Sequence, residues 1–451
     1  MRKLISLMLV LAIVLACSAA GADLESAKSV NPEEVRNIKI NEAGNNEVPD
    51  GVSPTTGRNL DEVYDEYIAS NPGFDGMAAS GVYYPILVLH TGYKGAVNEG
   101  APFYGKSADI YYEIAKASWG VSRLLMVFND VLPTFAGPTR SLRVQYLFIR
   151  QEWNAPLFYQ GMQENDFSTK YHTDCKWMIN KFNMPFSWTP VESNSQRMTF
   201  DGSNGSKDHL VYKYRFQKYS DENNVLWDLA RAKNEYLGER DYTDYNHALK
   251  FGEQPEGGDS AETVYVYFSA NQAYRDKTSE GTTYFNSMYS YDADQGVYYR
   301  YMISDLKNPD NNPIPFTEQR LSNTTSAPLT GGEARYSGSA LKGDVTVTSE
   351  EEGAITFSNV IVQHIGMHWL TSDAPYANLT GSGNADYFIG GKHYTGVWKR
   401  NGYDDRTVFY GEDGNEIALK PGRTMIVMMD SFTMDNNENA TRNNDRYVKY
   451  E

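Results

Sequence analysis

Apolar residues recur along most of this chain in short runs or at every second position, which is the spacing of strands. Residues 84–90 read as a buried strand. Residues 109–115 alternate: Ile110, Tyr112 and Ile114 point one way, and Asp109, Tyr111 and Glu113 the other, predicting a strand with one polar face. Residues 124–128 and 157–159 are further apolar strands. Between them, residues 139–153 change to a helical period. Leu142, Tyr146, Ile149 and Trp153 share one face, and Val144, Leu147 and Phe148 cover much of the rest, so the helix is predicted to be buried.

Beyond residue 260 the pattern is almost all strand: 263–268, 288–292, 297–303, 355–365, 394–399, 407–410 and 424–429. Asp413-Gly414 is a hairpin turn signal, loops fall at 309–313 and at Gly331-Gly332, and 333–353 reads as an inserted hairpin or excursion. These elements predict an α+β, strand-rich fold. An N-terminal α/β-type part (77–219) carries the buried, Arg-bearing helix, and a C-terminal part (260–430) is mostly antiparallel β. Residues 220–259 link them, with a helical pattern at 225–236. Residues 18–76 are polar and acidic, rich in turn residues, and predict a flexible tether with one amphipathic helical piece at 60–69. The Asn-rich stretch 431–451 predicts a disordered tail.

The first residues change the picture. Arg2 and Lys3 precede an apolar run at 4–15, broken only by Ser6 and too short to span a bilayer, which needs about 20 residues. The run ends Val14-Leu15-Ala16-Cys17. Residues 1–16 therefore predict a signal peptide with a lipobox, and Cys17 the lipidated N-terminus of a protein on the outer face of the cell membrane. The alternative is cleavage after Ala22, giving a secreted protein. With Cys17 lipidated, Cys175 is left alone, so no internal disulfide forms and cysteines supply no metal centre. No metal and no cofactor are expected. The 41 basic and 58 acidic residues give a net charge of −17, which argues against nucleic acid and against broad contact with anionic headgroups. The membrane is thus a partner through the lipid anchor alone.

Candidate chemistry centres on residues 139–153. Arg140, Arg143 and Arg150 fall in one sector of the helix, with Arg140 and Arg143 in its first turn, where the macrodipole disfavours cations. Two arrangements resolve this. Asp109 and Glu113 pair with the arginines, or Arg140, Ser141 and Arg143 bind an external phosphate or carboxylate. Asp109 and Glu113 are also the candidates for a catalytic acid and base, although four positions on a strand separate them by roughly 13 Å. His364 and His368 follow a strand, which removes the meaning of their helical ligand spacing. Cys175 near His172 is a weak nucleophile pair and reads better as a small buried residue, and Gly381-Ser-Gly383 reads as a turn.

The segments Ser107-Ala-Asp-Ile-Tyr-Tyr-Glu113, Ser122-Arg-Leu-Leu-Met-Val-Phe128 and Gly137-Pro-Thr-Arg-Ser-Leu-Arg143 resemble the N-terminal half of the YerB-like lipoproteins. Tyr298-Tyr-Arg300, Asn359-Val-Ile-Val-Gln363, Gly396-Val-Trp398 and Lys420-Pro-Gly-Arg-Thr424 are similar to its C-terminal domain. The resemblance implies an envelope lipoprotein with two domains of unknown function, and it carries over no catalytic residue. Histidines that the family tends to show are replaced here by Tyr159-Gln-Gly-Met162 and Ser206-Lys-Asp-His209. The expected function is a non-catalytic binding module for an envelope component, either a cell-wall glycan, an anionic polymer or a surface partner. The alternatives are an enzyme acting on an anionic envelope polymer and a structural scaffold.

Overall fold

The computed structural model describes residues 27–30, 36–44, 46–70, 77–78, 85–91, 105–118, 122–168, 170–182, 199–201, 213–216, 225–233, 248–268, 287–302, 326–330, 344–348, 354–435, 437, 439–443 and 446–451. A 13-stranded sheet forms the centre. Its strands, in chain order, are β1 (Ile86–Thr91), β2 (Ile110–Ala115), β3 (Ser122–Phe128), β4 (Leu157–Tyr159), β5 (Thr199–Asp201), β6 (Asp259–Ser260), β7 (Asn359–Thr371), β8 (Ala374–Asn378), β9 (Gly381–Ile389), β10 (Lys392–Arg400), β11 (Val408–Gly411), β12 (Thr424–Met434) and β13 (Ala440–Arg442). Across the sheet the order is β6, β10, β9, β7, β12, β2, β3, β1, β4, β5. Strand β8 pairs with β7, β11 with β10 and β13 with β12.

Strand β12 joins the two halves. It lies between β7 and β2, parallel to both, with Val360 and Tyr111 each opposite Met425. Strands from 77–219 and from 260–430 are therefore hydrogen-bonded into one sheet. Because β3 is antiparallel to β2 and β1, strands β7, β12, β2, β1 and β4 all run the same way. Their C-terminal ends share one edge.

Alternate side chains enter two cores. Val88, Tyr111, Met126, Val362 and Val427 face one; Leu89, Ile114, Leu125, Ile361 and Met428 face the other. A six-stranded antiparallel sheet covers the first face. Its order is Lys28–Ser29, Tyr447–Tyr450, Thr263–Tyr267, Ser287–Asp292, Val297–Met302 and Thr356–Phe357. Helices α2 (Val144–Trp153) and α3 (Cys175–Lys181) lie on the second, preceded in the chain by α1 (Leu60–Ser70). The strand-rich α+β class expected from the sequence is what forms. Among the described residues no helix is long and apolar enough to cross a membrane.

Several local expectations change. All six residues of β2 are buried, so its predicted polar face is not a solvent face, because the second sheet lies over it. Helix α2 starts at Val144 rather than 139. Residues 139–142 are drawn out because their amides find partners elsewhere: Thr139 donates to Val225 O (2.8 Å), Arg140 to Leu89 O (3.0 Å) and Leu142 to Gly161 O (2.8 Å). Residues 225–228 form a strand with Trp227 opposite Ala136, and the helix there is confined to Leu229–Ala232. Gly381 to Gly383 open strand β9 instead of making a turn. A Cβ on Gly383 would sit 2.5 Å from Trp398 Nε1 and 2.6 Å from His364 O, so the close approach requires glycine. Of the predicted excursion 333–353, only Asp344–Thr348 lies within the described residues, paired with Ser326–Thr330.

The described residues of the expected tether and tail are more ordered than the sequence predicts. In the expected tether, Lys28–Ser29 pairs with Lys449 and Tyr450, α1 forms on the amphipathic stretch, and Ser53, Thr55 and Thr56 are buried. The expected disordered tail carries β13 and the strand Tyr447–Tyr450. That strand inserts Val448 and Tyr450 into the core between Lys28–Ser29 and Thr263–Tyr267. Its alternation supplies apolar burial that the Asn-rich composition obscures.

Candidate functional site

The C-terminal edge of the parallel strands collects cations. Lys116 follows β2. Arg123 is the second residue of β3, opposite Ile114 on β2 and Thr91 on β1. Arg140 lies in the extended segment beside the end of β1, where its amide meets Leu89 O. Arg143 is the N-cap of α2, extended at φ −130°, ψ 157°, and the helix has no side-chain cap there. The positive end of the helix dipole therefore adds to the same region. Open sheets bind ligands at such carboxyl-terminal edges. Ser141 is half-buried between the two arginines.

Asp373, in the β7–β8 turn, is a carboxylate that the described residues bring to this cluster. It forms ion pairs with Lys116 and with Arg143 Nη2 (3.3 Å), and its carbonyl accepts from Arg143 Nε at 3.4 Å. Arg143 Nη1 donates to Leu142 O at 2.9 Å. Arg123 is different. It is 4% exposed, its Nε is buried without an acceptor, and among the described residues its guanidinium makes no ion pair. Burial, then the charges of Arg140 and Arg143, push Arg123 down to about 9, against the pull of Tyr146 and Asp373. Burial lowers Lys116 as well, with Asp373 opposing it, and burial raises the phenol of Tyr146.

The predicted acid–base pair is dismantled. Glu113 is fully buried and faces the second sheet. Arg300 grips it through Nη2 (2.6 Å) and Nε (3.1 Å), and hydroxyls donate from Ser122 (2.7 Å), Ser287 (3.0 Å) and Tyr289 (3.0 Å). Asp109 Oδ2 accepts the amides of Asn129 (2.8 Å) and Asp130 (2.9 Å) and the Thr55 hydroxyl (2.9 Å). Asp130 in turn accepts from Ser53, Thr55 and Thr56, so the two aspartates clamp segment 53–56 to the turn after β3. Burial and the Asp130 charge push the Asp109 carboxyl up, while its amide and hydroxyl donors pull it down. The expected pairing of Asp109 and Glu113 with the arginines is thus replaced by Asp373 for Arg143 and by Arg300 for Glu113. On α2 itself, Arg150 is fully buried and donates to Gln151 Oε1 at 2.9 Å.

Other candidates resolve structurally. His364 Nδ1 meets Ser431 Oγ at 2.5 Å, and its Nε2 meets Asp386 at 2.8 Å; His393 (2.9 Å) and Arg36 (3.1 Å) also reach Asp386. This relay resembles a hydrolase triad, but Ser431 is 2% exposed. His368 stacks on Tyr171, centroids 3.6 Å apart, and Cys175 is buried at the start of α3. Among the described residues no group of three or more His, Cys, Asp or Glu is placed to hold a metal. Cys17 lies outside the described residues. A cleft of about 960 Å³ is lined by Glu42, Glu253, Glu256, Glu412 and His393, and one of about 410 Å³ by Asp109, Asp130, Lys106 and Arg423. The cationic cluster borders neither.

Residues 97–225 match the N-terminal domain, and residues 332–426 the C-terminal domain, of a protein family of unknown function (DUF3048). Both domains of this family are thus present in the chain. The crystal structure of the YerB protein from Bacillus subtilis has the same fold at a TM-score of 0.50 and 16% identity, covering 84% of this chain and 96% of that one. No curated protein matches the chain. Within this DUF3048 frame, Lys116, Arg123, Arg140 and Arg143 come from the N-terminal domain and Asp373 from the C-terminal one, so both domains build the cluster. Sequence reasoning found Arg140 and Arg143 but missed the other three. Arg123 carried a signal as the lone cation in an apolar strand. Asp373, 230 residues from Arg143, carried none.

Proposed function

We propose that this protein is a lipid-anchored extracytoplasmic module that binds an anionic component of the cell envelope at the Lys116–Arg123–Arg140–Arg143 cluster. The observation that supports it most is Arg123, a guanidinium buried among like charges with no hydrogen-bond acceptor for its Nε. A buried charge without a partner is costly, and sites retain such a charge where a ligand relieves it. The uncapped start of α2 adds a second attraction for an anion. Binding is favoured over turnover because Asp109 and Glu113 spend their oxygens on internal donors. The anchor rests on the apolar run at 4–15 and on Cys17 after it.

Two experiments test this. Calorimetric titration of the detergent-solubilised full chain with inorganic phosphate, a phosphodiester polymer and a polyuronate is expected to give saturable binding to at least one. Arg123→Gln should abolish it, and Glu412→Gln in the acidic cleft should leave it intact. Absence of binding, or binding indifferent to Arg123→Gln, removes the site. In cells, Cys17→Ala is expected to move the chain from the membrane to the soluble fraction. Full retention in the membrane rules out the anchor.

A further inference from the structure

Asp373 differs from its partners in exposure. Its side chain is 43% accessible, whereas those of Lys116 and Arg143 are 14% and 10%. It sits at a hairpin tip, held by the Ser118 amide on Ser372 O (2.8 Å). Its hold on Arg143 is loose: the side-chain contact of 3.3 Å is single-pronged, and the Nε contact of 3.4 Å goes to the backbone carbonyl instead. A carboxylate matched to a guanidinium makes two parallel bonds at shorter distance. The one negative charge is divided between Lys116 and Arg143 and gives Arg123 no hydrogen bond.

We propose that the ligand is a dianionic phosphoryl group, a phosphomonoester, and that Asp373 is a tethered stand-in that it displaces; this rests on the anion-site reading above. Exchanging Asp373 for another monoanion would leave Arg123 as it is. A phosphomonoester carries close to two negative charges at neutral pH and three terminal oxygens. One oxygen meets Arg143, one Lys116, and the third is left for the buried Nε of Arg123. The N-terminus of α2 faces the added charge favourably. Asp373 is the member able to leave, because its exposed carboxylate is readily rehydrated and its turn is short. The exposed hairpin tip then acts as the entrance.

The test titrates full-length wild type, Asp373→Asn and Arg123→Gln with inorganic phosphate, glycerol phosphate, a small phosphodiester and short-chain phosphatidic acid. Glycerol phosphate is expected to bind at least tenfold more tightly than the diester. Asp373→Asn is expected to bind phosphate about tenfold more tightly than wild type, and Arg123→Gln not at all. Phosphatidic acid binding more tightly than glycerol phosphate places the group on a lipid, and equal binding places it on a soluble molecule. Should Asp373→Asn fold poorly, hydrogen exchange on wild type gives the answer: the Ser118 amide should exchange faster when phosphate is bound. Wild-type binding with no gain in Asp373→Asn and no change at Ser118 overturns the stand-in while leaving the anion site. Equal affinity for monoester and diester overturns the phosphomonoester. Absence of binding by wild type and Asp373→Asn alike overturns both readings.

Discussion

Glu113 and Arg123 lie one rung apart on the same strand pair, Glu113 opposite Leu124 and Arg123 opposite Ile114, yet they point to opposite faces of the sheet. Both are buried. Glu113 is met by one guanidinium and three hydroxyls, whereas Arg123 meets no acceptor at its Nε. The difference separates two uses of a buried charge. A saturated one positions two sheets against each other, and an unsaturated one holds free energy that a ligand can release.

The comparison can be broken most directly at its saturated side. Glu113→Ala should cost about 3–5 kcal/mol, because it strands Arg300. Arg300→Met should cost a similar amount, and the double variant should lose less than the two together. Denaturant unfolding measures this, and a loss under about 1 kcal/mol would mean that the ion pair does not organise the interface. The unsaturated side should respond with the opposite sign. Arg123→Met is expected to leave stability unchanged or raise it by about 1–3 kcal/mol. Destabilisation as large as that of Glu113→Ala would show that Arg123 has a partner after all.

The pH dependence sharpens the contrast with smaller effects. Burial raises Asp386, but His364, His393 and Arg36 outweigh it and hold the carboxylate well below its ordinary range. Its folded value lies below its unfolded one, so its contribution is complete above about pH 4–5 and is lost as the pH falls. Asp386→Asn should therefore flatten the acid limb of the stability profile. Arg123, pushed down to about 9, also has a folded value below its unfolded one, but it is a cation. Its burden is present at neutral pH and is relieved as pH rises above about 9. The stability difference between Arg123→Met and wild type should shrink over that alkaline range, and a constant difference would contradict the assignment.

Much of the fold was legible because alternation and apolar runs report burial directly. Predicted segments 84–90, 124–128, 394–399 and 424–429 correspond to β1, β3, β10 and β12 within a few residues. The errors have a common physical source, which is partners distant in sequence. Helix 139–153 loses its first turn because Leu89, Val225 and Gly161 capture the amides. Glu113 reads from sequence as a partner of Arg140 and Arg143 or as a catalytic group, because Arg300 comes 187 residues later. The same holds for the site, where Arg140 and Arg143 form one legible cluster while Asp373 arrives on a separate hairpin.

The pairing of Lys28–Ser29 with Tyr450 and Lys449 sets a leash length. The polar stretch 18–76 suggested a spacer of nearly sixty residues. The chain is already stitched to the body at Lys28. With the proposed anchor at Cys17, eleven residue steps remain, and whatever their conformation they span at most about 40 Å. On that proposal Lys28 stays within this distance of the bilayer, and a phosphorylated ligand would be met near the membrane rather than deep in the wall. If Cys17 carries the proposed anchor, a long, searching arm becomes a short mooring, and the molecules within its radius are those of the membrane surface.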